Sequence, residues 1–246
     1  LKKYSFDAVI DVCAYNEDDV RDLLGALGDF GTYILISSSA VYPETLPQPF
    51  REDNEAGVNK IWGDYGINKI KAENFAAKYC KNAYFIRPPY LYGKMNNLYR
   101  EAFVFECAER DLPFYMPNDG KMGLQFFDIE DMCRFIEILL EKQPSERVFN
   151  VGNPESVSIC DWVEACFGTL GKTPEIRFVE PDIEQRNFFP FYNYEYFLDV
   201  TKMLALMPET KPLEVGLKQS YEWFAKNRGE VRRKPLFDYI EKNLRG

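Results

Sequence analysis

Three short apolar segments alternate with helical segments in the first part of the chain, and this alternation limits what the chain can fold into. The apolar segments are 6–14, 33–36 and 83–90, and each is too short for a buried helix and rich in β-branched or aromatic residues. Segments 16–27 and 65–79 between them have helical composition. Strand, helix, strand, helix, strand predicts a parallel, doubly wound α/β sheet, in which ligands bind beyond the carboxyl ends of the strands.

The composition removes the side chain that enzymes most often use for acid–base catalysis. The chain of 246 residues contains no histidine, which rules out a Ser-His-Asp triad and every histidine-ligated metal site. Acid–base chemistry near neutral pH must therefore use Tyr, Lys, Cys or carboxylate side chains. The six cysteines form no C-x-x-C pair, so we expect reduced thiols and no metal site.

Charge and hydropathy narrow the class of protein further. With 30 basic and 39 acidic side chains the net charge is −9, which disfavours a protein that follows the nucleic-acid backbone. No run of ~18 apolar residues predicts a membrane span, and the N-terminus L-K-K-Y lacks the pattern of a signal peptide. We therefore expect a cytoplasmic protein with no membrane contact.

A serine-rich strand end, a Tyr-Lys pair and an Arg-Pro-Pro segment follow one another along the chain. They read I-S-S-S-A-V-Y at 36–42, Y-G-I-N-K at 65–69 and I-R-P-P-Y-L-Y-G at 86–93. Residues four apart share one face of a helix, so Lys69 is expected next to Tyr65. A phenol has a pKa of ~10, and a nearby ammonium lowers it. Tyr65 would then be able to accept a proton from a substrate hydroxyl.

In their order and spacing these segments resemble the extended short-chain dehydrogenase/reductase family, which includes nucleotide-sugar epimerases and dehydratases. Three later stretches agree with the family pattern, Q-F-F-D-I-E-D-M at 125–132, F-N-V-G-N-P at 149–154 and F-L-D-V-T-K-M at 197–203. The resemblance implies a Rossmann-type fold, an NAD or NADP cofactor and a small-molecule substrate, a nucleotide sugar. It also implies a homodimer in which the helix of the Y-x-x-x-K motif contributes to a four-helix contact.

The same resemblance gives roles to individual residues. The catalytic residues would be Ser38, which lies four positions before Tyr42, together with Tyr65 and Lys69. The cofactor contacts would be Ala14, Lys69, Pro88, Pro89 and Tyr90. The substrate contacts would be Gln125, Arg177 and Arg186, with Arg186 placed to meet a phosphate. The aromatic segment 188–197 is predicted to be core or a domain contact, or alternatively a wall of the substrate pocket.

One part of the family pattern does not occur in this sequence. The family begins with a strand, a G-x-x-G-x-x-G loop and a helix whose N-terminus holds the dinucleotide pyrophosphate. Gly25, Gly28 and Gly31 have a similar spacing, but they end a helix and precede a strand, the reverse of the required order. The first strand resembles the fourth strand of the family, so a segment with three strands and the glycine loop would precede Leu1.

We therefore expect an N-terminally truncated Rossmann-type sheet with a smaller mixed α/β region. The nucleotide-binding part is predicted to comprise 1–94 and 121–152. The substrate-binding part is predicted to comprise 95–120 and 153–246. Binding of the cofactor by this chain alone is in question, because the pyrophosphate loop is not in the sequence.

The two residues after Ser38 favour some reactions of the family over others. Dehydratases of the family carry an Asp-Glu pair where this chain has Ser39 and Ala40, so we expect an epimerase or a related oxidoreductase rather than a dehydratase. V-I-D-V-C-A-Y, F-F-P-F and L-D-V-T-K resemble an atypical branch that includes the chloroplast stem-loop RNA-binding proteins. The alternative is therefore a non-catalytic or RNA-binding protein, with the basic run 232–234 as its contact, although the net charge makes nucleic-acid binding the weaker hypothesis.

Overall fold

The computed structural model describes residues 1–245, and within this range it contains ten β-strands and eight α-helices. The strands are β1 Phe6–Asp11, β2 Phe30–Ile36, β3 Ala83–Arg87, β4 Tyr90–Tyr92, β5 Phe114–Pro117, β6 Gly123–Leu124, β7 Phe126–Asp128, β8 Val148–Asn150, β9 Val157–Ser158 and β10 Ile176–Val179. The helices are α1 Glu17–Ala26, α2 Asp64–Tyr79, α3 Glu101–Glu109, α4 Ile129–Lys142, α5 Ile159–Gly168, α6 Thr201–Leu206, α7 Leu213–Lys226 and α8 Leu236–Asn243. Short 3₁₀ turns occur at Ser39–Val41, Gln185–Asn187 and Arg228–Glu230.

The chain divides into two compact units. The first unit comprises 1–90, 130–154 and 196–210, and the second comprises 91–129, 155–195 and the segment from 211 onward. Each unit is therefore built from three separate stretches of the chain. The assignment of nucleotide binding and substrate binding to different parts of the chain stays a prediction.

The first unit is built on a four-stranded parallel sheet in the order β1-β2-β3-β8. The central register pairs Tyr33 with Ala83 and Ile86 with Phe149, so the carboxyl ends of these strands share one edge. The predicted parallel α/β sheet is confirmed. Strand β1 lies at one edge of the sheet and, among the described residues, pairs only with β2. Ile10 of this edge strand is 44% exposed.

Helices pack on both faces of this sheet because its strands are apolar on both sides. On one face α1 and α2 pack against strands β2 and β3 and enclose a hydrophobic core. Its buried members are Ala14, Val20, Tyr33, Leu35, Ala72, Ala76, Cys80, Ala83 and Phe85. On the other face Phe135 of α4 packs edge-to-face on Phe149 of β8, with 5.4 Å between ring centroids. This two-sided arrangement is the doubly wound architecture that the alternating sequence predicts.

Local sequence chemistry explains where the first elements begin and end. The Asn16 side chain accepts hydrogen bonds from the backbone N–H groups of Asp18 and Asp19, and the Asp19 carboxylate in turn accepts one from the Asn16 backbone N–H, which completes a capping box for α1. The predicted strand 83–90 is interrupted: β3 ends at Arg87 and β4 begins at Tyr90. The two prolines between them have no N–H to donate to a ladder, which explains the interruption.

The second unit combines short sheets with helices α3, α5 and α7, which pack on one another, and with helix α8. Strands β5 and β10 pair in parallel, and β6 and β9 pair antiparallel. An aromatic core joins the elements of this unit, for example through Phe126, whose ring stacks on Trp162 with centroids 5.6 Å apart. Phe191 packs edge-to-face on Trp162 at 5.1 Å. Phe188, Phe189 and Phe191 are buried, so much of the aromatic segment forms core, as predicted.

The described residues contain neither a membrane-spanning helix nor a cluster of metal-binding side chains. Within residues 1–245, no helix has the length and apolar character needed to cross a membrane. The same range contains no group of three or more Cys, Asp or Glu side chains arranged to hold a metal ion. All six cysteines are free thiols.

Candidate active site

A serine turn follows strand β2 at the carboxyl edge of the sheet. Ser38 caps the 3₁₀ turn Ser39–Val41, and its Oγ accepts a hydrogen bond from the backbone N–H of Ala40 at 3.1 Å. The backbone N–H of Ser39 donates to the carbonyl of Pro88 at 3.0 Å. The serine turn and the Arg-Pro-Pro segment, which are far apart in the sequence, are therefore joined directly.

Helix α2 crosses this turn at Gly66, the residue next to Tyr65. A Cβ atom built on Gly66 would lie far inside contact distance of the Ala40 carbonyl oxygen. Only glycine therefore allows the helix to lie this close to the serine turn. The glycine of the Y-G-I-N-K motif thus sets the spacing between the helix that carries Tyr65 and the turn that carries Ser38.

Lys69 extends from α2 to the carboxyl ends of the first two strands. Its Nζ donates to the carbonyl oxygen of Ala14 at 2.7 Å and to that of Ile36 at 2.9 Å. The residue is only 5% exposed. The structure therefore brings together two of the predicted site residues, because Ala14 holds the ammonium of Lys69.

A second tyrosine, Tyr15, lies beside this ammonium and contacts the ring of Tyr65. Tyr65 is 37% exposed. The Tyr15 ring lies 5.4 Å from Lys69 Nζ, and its centroid is 6.0 Å from that of Tyr65 in an edge-to-face arrangement. Nothing in the sequence pattern indicated Tyr15, because the contact depends on how the turn after β1 is folded.

The charge state of Lys69 depends on opposing effects. Burial lowers the pKa of Lys69, and the negative charges of Asp11, Glu73 and Asp19, with the Cys13 thiol, act in the opposite direction. Asp11 is the strongest of these opposing groups. An acidic residue that directly follows the apolar run Ala8–Ile10 was a usable signal for Asp11, since a buried carboxylate needs hydrogen-bond partners.

Arg87 of the Arg-Pro-Pro segment is buried, and its charge is paired with a carboxylate of the same unit. It forms a two-point ion pair with Glu73 of α2, with Nε–Oε1 at 3.0 Å and Nη2–Oε2 at 2.6 Å, and both side chains are buried. Its Nη1 donates to the Tyr42 hydroxyl at 2.8 Å. Burial opposes the charge of Arg87, but the bonds to Glu73 raise its pKa overall. Burial raises the pKa of Tyr42 to about 12.

The remaining predicted cofactor contacts lie in the same unit. Pro88 and Pro89 are buried, and Pro88 is tied to the serine turn as described above. Tyr90 is 5% exposed, with its ring 6.3 Å from Trp62 and 5.8 Å from Tyr196. These residues therefore form a packed wall beside the carboxyl edge of the sheet.

The residues present fit one half of a nicotinamide dinucleotide. The buried Lys69 ammonium, fixed by two carbonyl groups at the carboxyl edge of a parallel sheet, is suited to hydroxyl groups of a ribose. The glycines do not supply the other half, because Cβ atoms at Gly28 and Gly31 would meet the backbone carbonyls of Tyr4 and Asp7. These two glycines serve close backbone packing, in agreement with their exclusion as a phosphate loop.

The predicted substrate contacts all lie in the second unit. Gln125 is 3% exposed between β6 and β7. Arg177 lies on β10, where it pairs with Glu175 at 2.8 Å and reaches the Tyr115 hydroxyl at 3.5 Å. Arg186 lies in a 3₁₀ turn with its guanidinium 4.6 Å from the Tyr192 ring centroid. Their role as substrate contacts stays a prediction.

Changing Gly66 to alanine is expected to destabilise the first unit and to disturb the site. The added methyl group must push α2 away from the Ala40 carbonyl, at a cost of about 1–3 kcal/mol in the free energy of unfolding. Urea denaturation measures the loss of stability.

Gly25→Ala is the matched control for this substitution. A Cβ atom at Gly25 has open space around it, so this change is expected to be neutral or to stabilise by about 0.5 kcal/mol. Equal behaviour of the two variants would contradict the spacing role of Gly66.

Comparison with known proteins places the chain in a family. Residues 4–152 match the NAD dependent epimerase/dehydratase family, so the chain belongs to that family. It is 28% identical over 229 residues to the chloroplast stem-loop binding protein of 41 kDa b of Arabidopsis thaliana, covering 90% of this chain and 59% of that protein. It is 26% identical over 213 residues to the Arabidopsis trifunctional UDP-glucose 4,6-dehydratase/UDP-4-keto-6-deoxy-D-glucose 3,5-epimerase/UDP-4-keto-L-rhamnose-reductase, covering 81% of this chain and 30% of that protein.

Solved structures share the fold. UDP-N-acetylglucosamine 4-epimerase from Methanobrevibacter ruminantium, in complex with UDP-N-acetylmuramic acid, superposes with a TM-score of 0.73 at 15% identity, over 89% of this chain and 77% of that one. The dTDP-glucose 4,6-dehydratase from Bacillus anthracis, in complex with NAD, gives 0.68 at 19% identity, over 94% and 75%. At these identities the likeness concerns the fold, and it confirms the Rossmann-type α/β class.

Proposed function

We propose that the protein is an NAD(P)-dependent sugar-nucleotide epimerase or related oxidoreductase, with Ser38, Tyr65 and Lys69 as its catalytic residues. The observation that carries this proposal is the arrangement on α2. The Lys69 ammonium is buried and held by two carbonyls, one helical turn from the partly exposed Tyr65. The relative whose name includes epimerase and reductase activities on UDP sugars supports the substrate class.

The chemistry follows from the properties of the three side chains. A bound nicotinamide supplies a hydride acceptor. Lys69 favours the phenolate of Tyr65 by its charge, so that the phenolate is able to take the proton of a substrate hydroxyl. The Ser38 oxygen accepts from the Ala40 N–H, which leaves its own O–H to donate to the substrate oxygen. Lys69 would also hold the nicotinamide ribose, with Ala14, Pro88, Pro89 and Tyr90 beside it.

Dehydration fits the site less well than epimerisation or simple oxidoreduction. Expelling water needs an acid and a base beside the sugar. At the two positions after Ser38 the chain has Ser39, whose Oγ donates to the Tyr196 hydroxyl at 3.1 Å, and Ala40. Both residues are buried, and neither supplies a titratable group.

A cluster of cations in the second unit suits the diphosphate of a nucleotide sugar. The backbone N–H of Arg232 donates to the Asn97 carbonyl at 2.8 Å, which brings the segment with Lys234 beside Arg100. Burial lowers the pKa of Lys234, as do the positive charges of Arg186 and Arg100. Guanidinium groups bind phosphate through charge-assisted hydrogen bonds, so Arg186 is proposed as a phosphate contact.

A screen of the full-length protein with NAD or NADP and a set of nucleotide sugars tests the proposal. We expect conversion of at least one sugar to an epimer or to a redox product. Loss of that conversion in Ser38→Ala and Lys69→Met, with the fold retained, would support the assigned residues. No conversion of any sugar with either dinucleotide would refute the enzyme assignment.

Similarity to the stem-loop binding protein favours a second candidate, RNA binding without catalysis. The net charge of −9 opposes it. Within the basic run 232–234, Arg233 pairs with Glu106, which reduces the charge available to RNA. Stem-loop binding that persists at about 0.2 M salt, in a protein without sugar turnover, would favour this candidate over the enzyme.

We also propose a homodimer through helix α2, which carries the Y-G-I-N-K motif. Phe75 and Tyr79 of α2 pack with ring centroids 4.5 Å apart, and Tyr79 is 57% exposed. A half-covered aromatic pair of this kind suits a helix–helix contact. Light scattering that gives a monomer at micromolar concentration would contradict the dimer.

A further inference from the structure

Asp11 is a buried carboxylate at the end of strand β1, and it has three hydrogen-bond donors. Its Oδ1 accepts from the backbone N–H groups of Cys13 at 3.1 Å and of Ala14 at 2.9 Å. Its Oδ2 accepts from the Tyr33 hydroxyl at 2.6 Å. The side chain is 5% exposed. Asp11 therefore closes the turn that follows β1, in the manner of an Asx turn.

This turn determines where the Ala14 carbonyl points. The Ala14 N–H is bound by Asp11, and the Ala14 carbonyl accepts the hydrogen bond from Lys69 Nζ at 2.7 Å. Ala14 thus links the Asp11 carboxylate to the Lys69 ammonium, because its N–H binds the carboxylate and its carbonyl binds the ammonium. A change in the turn would move one of the two carbonyls that hold the Lys69 ammonium.

Each element packed around Lys69 contributes a charged or titratable group. Strand β1 contributes Asp11, and the turn after it contributes the Cys13 thiol. Helix α1 contributes Asp19, and α2 contributes Glu73. The Tyr15 ring lies over the ammonium, and Tyr65 lies one turn away on α2.

Two of these carboxylates are committed to other partners. Glu73 is bound on both oxygens by Arg87. Asp19 Oδ2 accepts from the backbone N–H groups of Tyr15 and Asn16. The three donors to Asp11 are two backbone amides and a phenol, none of which carries a charge. Among the groups around the buried ammonium, the Asp11 carboxylate has the strongest charge effect on Lys69.

We propose that Asp11 is a positioning residue for Lys69: its carboxylate fixes the turn whose Ala14 carbonyl holds the ammonium, and it supplies the negative charge that offsets the burial of that ammonium. The consequence for catalysis rests on the proposed function, in which Lys69 must stay charged to serve Tyr65. The effect on Lys69 itself does not require a cofactor or a substrate.

Two substitutions separate charge from hydrogen bonding. Asp11→Asn keeps an oxygen acceptor for the two backbone N–H groups and removes the charge. Tyr33→Phe keeps the charge and removes one hydrogen bond. The ionisation of Lys69 is followed by carbon-13 NMR of the lysine Cε groups in the cofactor-free protein, with the Lys69 signal assigned by its loss in Lys69→Arg.

We expect Asp11→Asn to lower the measured pKa of Lys69 by about 1 pH unit or more, and Tyr33→Phe to leave it unchanged. An unchanged pKa in Asp11→Asn, or an equal decrease in Tyr33→Phe, would overturn the proposal. If Asp11→Asn does not fold, Asp11→Ser provides a second uncharged acceptor for the same backbone groups and is held to the same result.

The pH profile of turnover gives an independent reading. In an active enzyme, the alkaline limb of kcat/KM should move to lower pH in Asp11→Asn because the ammonium is lost earlier, and it should not move in Tyr33→Phe. A limb that stays in place would contradict the positioning role. Absence of turnover in the wild-type protein would instead refute the proposed function and leave the NMR result to decide the role of Asp11.

Discussion

Replacing Tyr65 with phenylalanine is expected to lower kcat for nucleotide-sugar turnover by about 10²–10⁴-fold, the usual contribution of a positioned acid–base group. The substitution removes the phenol oxygen and keeps the ring, so the edge-to-face contact with Tyr15 and the packing of α2 should be retained. KM should change little, because the lost interaction is one that matters in the transition state. Steady-state kinetics on the substrate found in the screen measure both constants.

Tyr4→Phe is the matched control for this change. Tyr4 is 53% exposed in the same unit and lies before β1, so loss of its hydroxyl should not affect turnover. If Tyr65→Phe and Tyr4→Phe retained equal activity, Tyr65 would not be the acid–base residue. A loss in both variants would indicate a general effect on folding.

Replacing Arg87 with methionine is expected to cause the largest loss of stability in the first unit, about 3–5 kcal/mol in the free energy of unfolding. The change leaves the Glu73 carboxylate buried without its two-point partner, and it removes the donor to the Tyr42 hydroxyl. Urea denaturation at neutral pH, followed by circular dichroism, measures the loss.

A second substitution distinguishes a broken ion pair from lost packing. Combining Arg87→Met with Glu73→Leu removes both charges, and most of the lost stability should return. Arg51→Met is the matched control, because Arg51 is 59% exposed in its ion pair with Asp53. The urea concentration at the midpoint of unfolding should therefore be close to that of the wild-type protein. A double variant as unstable as the single one would contradict the ion-pair explanation.

The sequence predicted those features whose causes are local. The order of strands and helices follows from apolar periodicity. The helix expected over 16–27 spans Glu17–Ala26, and its cap at Asn16 follows from short-range hydrogen bonding. The extent of elements was less predictable: the apolar segment 33–36 is the end of a strand that begins at Phe30. The first residues of that strand pair with β1, and the apolar pattern does not encode this pairing.

The sequence motifs named candidate residues for the site, but they did not specify the contacts that those residues make. Ala14 and Lys69 were both expected near the cofactor, yet their direct hydrogen bond depends on a turn built by Asp11. Arg87 was noted as part of a motif, while its pairing with Glu73 joins a strand end to a helix 14 positions away. Such contacts depend on how elements pack in three dimensions, and a single sequence does not specify them.

The transfer of hydrogen is the most direct test of the central claim that Ser38, Tyr65 and Lys69 serve a nicotinamide-dependent reaction. The substrate found in the screen is labelled with deuterium at the reacting carbon and incubated with the full-length protein and the dinucleotide. We expect the label to be found on the dinucleotide, or to be returned to the sugar without exchange with solvent, and we expect Tyr65→Phe to suppress the transfer. Loss of the label to water, or undiminished transfer in Tyr65→Phe, would contradict this role of the three residues.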